Sequence, residues 1–115
     1  MSGRQLHSER AAFNELLVQS VDETIAGILG TTVSSAFTNY MHNNFGLDIG
    51  KISSRPETLF RALHDSFGVG GDRLAKYIVR KLYQKAGVEF LENDDLSLTE
   101  YVQALKTRLT DEELH

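Results

Sequence analysis

Residues 66–73 read SFGVGGDR, and no other stretch of the chain looks as much like an anion site. Successive backbone N–H groups in a glycine loop can point at a phosphate, and a following helix N-terminus adds partial positive charge. The flanking residues argue against that chemistry. A nucleotide-binding fingerprint needs a strand before the loop, whereas an apolar, helix-like run precedes this one. A P-loop also needs a lysine followed by Ser or Thr, and the residues here are Asp72 and Arg73. Asp72 in a first turn favours the helix dipole itself and repels a phosphate. Gly68 can instead take the cap after Phe67, while Gly70 and Gly71 let two helix backbones pass closely. The turn reads as a structural hinge with Gly68 or a neighbour at positive φ, and small-ligand binding there is the competing reading.

The second candidate is a run of cations. Arg73, Lys76, Arg80, Lys81 and Lys85 share one predicted helix with a single acid, Asp72, in a chain whose formal net charge is −4. Arg73, Lys76 and Arg80 fall on one face, opposite the apolar stripe, and form the candidate basic partner-binding face. A helix, a glycine turn and a basic helix also resemble a helix-turn-helix. The turn is at least as long as that motif uses, and the acidic remainder opposes DNA. A solvated face is the plain reading, since charged stripes commonly mark a helix's outward side. An acidic protein partner comes next and DNA third.

The remaining residue patterns point away from catalysis and metals. His42 and His64, the histidines outside the expected frayed ends, have neither the i, i+4 spacing nor the HExxH pattern of a zinc site. Each is expected to be a partly buried helix histidine. His64 and Asp65 are adjacent, so they point in different directions. NDDLS at 93–97 lacks the ligand order and central glycine of a calcium loop and reads as an acidic turn feeding a helix cap. With no cysteine, no GxSxG and no carboxylates that spacing alone brings together, no catalytic, cofactor-binding or metal-binding residue is assigned. The expectation is a non-enzymatic chain without a cofactor.

The elements that must position these residues are helical. Phe13, Leu16, Leu17, Val21, Ile25, Ile28 and Leu29 recur at three- and four-residue spacing, which places them on one side of a helix from about Ser8 to Leu29. Ser20 and Glu23 form a capping-box pattern within it, but the apolar phase continues, so one long or kinked helix is favoured over two. TTVSSAFTNYMHNNFG supplies a second helix. LDIGKISSR is a connector whose Leu47, Ile49 and Ile52 alternate as core plugs; a short strand there would have no partner. Pro56 opens a third helix, in whose first turn its missing N–H has no intrahelical partner to lose. DRLAKYIVRKLYQKAG makes a fourth helix, VEFLENDD an acidic connector, and SLTEYVQALKTRL a fifth that starts with a Ser97–Glu100 capping box.

The expected fold is therefore all-α, a compact bundle of five to six helices with a long N-terminal helix. Residues 1–115 form one domain, with frayed ends at 1–7 and 110–115. An apolar fraction of 41% and a charged fraction of 24% are ordinary for a globular chain. The N-terminus lacks a signal-peptide core, and no run approaches the ~18 apolar residues of a membrane span. The expected location is cytoplasmic, without membrane contact. The long first helix has a further implication: its N-terminal part, with Phe13, Leu16 and Leu17, would overhang the bundle and need a partner to bury against. These three are the candidate protein-interaction residues.

The stretches VDETIAGILG and NNFGLDIGKISSRPETLFRALHDSFGVGGDRLAKYIVRKLYQKAG resemble a small archaeal domain family, the fifth Nitrososphaera output domain. The matching features are a helix ending in LG, a helix ending in FGL, a connector to a proline-started helix, an FGxG-G turn and a helix containing IVRKLYQK. The resemblance covers about residues 21–90, within an expected family-like core of about 21–109, and leaves the first twenty residues outside. It implies an output or adaptor domain of archaeal signalling with no assigned catalytic residue or ligand. The functional expectation is a regulatory module that docks a protein partner or a second copy, most simply as a dimer. A DNA-binding regulator using the basic helix 72–86 is the alternative.

Overall fold

The apolar periodicity of the first segment forms one unbroken helix, α1, Ser2–Leu29. In this computed structural model the backbone of residues 2–114 and the side chains of residues 11–110 are described. The Ser20–Glu23 pattern does not interrupt α1. Ser20 Oγ donates to the Leu16 carbonyl 2.7 Å away, one turn back, so the hydroxyl is used inside the helix and caps nothing. The helix also covers residues 2–7, where fraying was expected, because extending a formed helix is far easier than nucleating one.

Four more helices follow: α2, Thr31–Phe45; α3, Pro56–Phe67; α4, Val69–Ala86; and α5, Leu98–Leu114. The last extends through residues 110–114, again beyond the expected end. The connector after α2 forms a 3-10 helix, Ile49–Ser54, kinked at Lys51. There is no strand among the described residues. Leu47 and Ile52 are buried and Ile49 packs against the core, as the alternation implied. Pro56 begins α3. At α5 the capping box forms reciprocally, with Glu100 Oε1 accepting from the Ser97 N–H at 2.9 Å and Ser97 Oγ from the Glu100 N–H at 3.1 Å.

α1 is the central element and packs against α2, the 3-10 helix, α4 and α5, while α3 lies along α4. The core joins Leu17 and Ile25 of α1 to Met41, Ile52, Leu59, Leu63, Ile78, Leu82 and Leu105, all fully buried. Each such side chain contributes on the order of 1.5–3 kcal/mol relative to exposure.

This packing corrects the overhang expected for α1. Phe13 and Leu17 are buried in the core, and Leu16 is half-buried against it. The reason is Asn14, which holds the 3-10 helix against this part of α1: its Nδ2 donates to the Gly50 carbonyl at 2.7 Å, and its Oδ1 accepts from the Ser53 N–H at 2.9 Å. Phe13 and Leu17 therefore present no surface to a partner. The connector between α4 and α5 is pinned in a similar way. Tyr101 Oη accepts from the Asn93 N–H at 2.6 Å and donates to the Leu91 carbonyl at 2.9 Å, while Tyr83 Oη donates to the Tyr101 carbonyl at 2.6 Å.

Candidate protein-interaction site

The glycine turn is a packing device. Gly68 has φ 58° and ψ −133°, a combination essentially restricted to glycine, and its N–H bonds the His64 carbonyl at 2.7 Å to close α3. Gly71 is buried where α4 crosses α3. A Cβ there would stand 2.5 Å from the Leu63 carbonyl carbon and overlap its oxygen. Gly70 differs, because a Cβ there would meet nothing within 4 Å. The close passage thus depends on Gly71 alone, and Gly70 is left facing a cleft.

The histidines are not partly buried as expected. The side chains of His42 and His64 are 63% and 60% exposed, and each pairs with an aspartate beyond its own helix end. His64 Nδ1 lies 3.1 Å from Asp72 Oδ1, across the glycine turn, and His42 Nδ1 lies 3.3 Å from Asp48 Oδ1. No group of three or more His, Cys, Asp or Glu among the described residues is arranged to hold a metal ion.

The basic face of α4 is divided. Lys76 and Arg80 converge on Glu92, in the connector before α5, with Lys76 Nζ 3.3 Å from Glu92 Oε1 and Arg80 bonded to the same oxygen. The Arg80 guanidinium also lies 5.7 Å from the centre of the Phe90 ring. The hydrogen bond from Arg80, then that from Lys76, holds the Glu92 carboxyl below the usual range. On the other flank, Glu23 of α1 lies 2.7 Å from Lys85 Nζ and 3.8 Å from Lys81 Nζ, and the Lys85 hydrogen bond is the main cause of its lowered pKa. Four of the five cations are thus matched by carboxylates of the same chain. Exposed pairs of this kind add little to stability, but they locally cancel the positive field a nucleic-acid face would need. Of these five cations, only Arg73 makes no ion pair among the described residues.

Arg73 stands instead on the lip of an apolar cleft. Where the end of α1 meets the start of α4, Ile28, Leu29, Phe67, Gly70, Leu74 and Tyr77 line a cleft of about 410 Å³ with Arg73 as its only charged residue. Ile28 is 55% and Tyr77 50% exposed. A second cleft, of about 370 Å³, lies between α2 and the end of α3; Val33, Ala36, Phe37, Tyr40, Ser66 and Phe67 line it. Phe67 belongs to both, so the two form one groove across the end of the bundle.

No protein-family model matches the chain, and neither does any curated protein or solved structure.

The groove was hidden from sequence reasoning because Ile28 and Leu29 keep the apolar phase of α1 and were assigned to its inner face. Their exposure is decided by where α4 begins. With α4 starting directly after Gly68, no side chain of its first turn, beyond Val69, is large and apolar enough to cover them. Among the described residues, no helix is long and apolar enough to cross a membrane.

Proposed function

We propose that the chain is a non-enzymatic regulatory or adaptor module that docks another polypeptide, and that the groove at the end of α1 and α4 is its docking surface. The supporting observation is the concentration of large, solvent-exposed apolar side chains, Ile28, Leu29 and Tyr77, in the lining of one cleft. Contiguous apolar exposure of this kind marks interaction sites far more often than isolated exposed residues do. The pattern resemblance of residues 21–90 to an output domain points the same way. The groove takes over the role assigned to Phe13, Leu16 and Leu17.

The test places a photo-crosslinking residue at Tyr77, with Gln103 on the outer side of α5 as the control position, in the native host. The adducted protein is identified by mass spectrometry, and its affinity for the purified chain is then measured. The expected result is adducts at Tyr77 and not at Gln103, and an affinity that Ile28→Glu lowers at least about tenfold, since a charge buried in an apolar contact goes unpaired. A purified pair indifferent to Ile28→Glu, or adducts confined to Gln103, overturns the proposal.

A further inference from the structure

Charge and shape together narrow the occupant of the groove. We infer that it receives an amphipathic helix of another protein, carrying two large apolar side chains on one face and a carboxylate placed to meet Arg73. This inference rests on the docking role proposed above.

The carboxylate follows from how α4 uses its cations. Lys76, Arg80, Lys81 and Lys85 are each held by Glu92 or Glu23, and Asp72 is turned toward His64. The one cation of α4 without such a partner among the described residues is Arg73, which lines the apolar cleft. A partner covering that cleft would desolvate Arg73. Removal from water favours occupants that supply an acceptor with a negative charge and disfavours wholly apolar ones.

The helix follows from the groove itself. Two open depressions of about 410 and 370 Å³ share Phe67 in their linings, and an occupant spanning both would seat an apolar side chain in each. Helix-in-groove recognition seats successive apolar anchors of one helix face in this way. The described residues offer no strand edge to an extended peptide. An enclosed pocket would surround most of a small molecule's surface, whereas these depressions open broadly to solvent.

A second copy fits less well. Among the described residues the groove lining carries Arg73 and no acid, so a two-fold contact through it would bring two guanidiniums together against apolar walls.

The test pans a displayed library of helical peptides against the full chain, with apolar positions at i, i+3, i+4 and i+7 and the flanking positions randomised among charged, amide and small residues. The best peptide is then measured by fluorescence anisotropy. The expected result is enrichment of Asp or Glu at one flanking position, binding abolished by Ile28→Glu, and an affinity about tenfold lower for Arg73→Gln. A peptide with that acid replaced by its amide should lose nothing further with Arg73→Gln. Circular dichroism confirms that both variants, altered at exposed positions, remain folded. Peptides that need Ile28 but neither an acid nor Arg73 overturn the inference and leave the docking role standing. A library yielding no peptide dependent on Ile28 or Tyr77 overturns both. A dimer seen by sedimentation and broken by Ile28→Glu makes the second copy the occupant and overturns the inference alone.

Discussion

Replacing Gly71 by alanine adds one methyl group at the closest approach of α3 and α4. The new Cβ would lie 2.5 Å from the Leu63 carbonyl carbon and 3.1 Å from the His64 nitrogen, all of it backbone. Non-bonded carbons rest at about 3.5–4.0 Å, so the two helices must part by about 1 Å. Neither neighbour can rotate away as a flexible side chain could. Overpacking against such a surface costs about 3 kcal/mol or somewhat more. Alanine's better helix propensity returns up to about 1 kcal/mol, leaving a net loss of about 2 kcal/mol. For a domain of this size that lowers Tm by about 8 °C. Gly70→Ala is the internal control: it lies in the same first turn, with nothing within 4 Å of the added Cβ. It should be neutral or stabilising by up to about 1 kcal/mol. Urea denaturation followed by circular dichroism reads both. Equal stability of the two variants would refute the claim that a backbone crossing at Gly71 sets the α3–α4 geometry.

Two further outcomes are expected. Thr24 is 4% exposed and its hydroxyl has no hydrogen-bond partner among the described residues, so Thr24→Val should raise stability by about 1 kcal/mol in urea denaturation; a loss of that size would mean the hydroxyl is satisfied. The Glu92 carboxyl, held down first by Arg80 and then by Lys76, is stabilising when ionised. Its folded pKa is depressed, so its contribution is present above the ordinary carboxylate value and is lost as pH falls through the lower folded value. NMR titration of the side-chain carboxyl should show a midpoint below that of an ordinary glutamate, moving back toward it in concentrated salt because the pair is exposed. An ordinary midpoint at low salt contradicts the pairing.

What the sequence made legible were features whose cause lies within one turn of chain. Pro56, the glycines that end α2 and α4, and the Ser97–Glu100 box act through local backbone geometry, and each stands where its residue type predicts. Ser20 and Glu23 carry the same signature as Ser97 and Glu100, yet only the second pair caps a helix. The difference lies upstream: a loop precedes Ser97, whereas Ser20 follows residues already helical and apolar in phase, so its hydroxyl turns back to Leu16. Burial was harder to read than helicity, because periodicity tells which residues share a face and not what covers it. Phe13 and Ile28 lie on the same stripe of α1. One is sealed beside a 3-10 helix that Asn14 holds in place, across 36 residues of sequence to Gly50 and 39 to Ser53. The other is left open because α4 starts with small residues. The pairings of Glu92 with Lys76 and Arg80, and of Glu23 with Lys81 and Lys85, are tertiary in the same sense. Once those pairs are drawn, the basic helix ceases to be a uniform stripe. A single unmatched arginine remains beside an apolar groove, and the chemistry of a partner has to be argued from that residue.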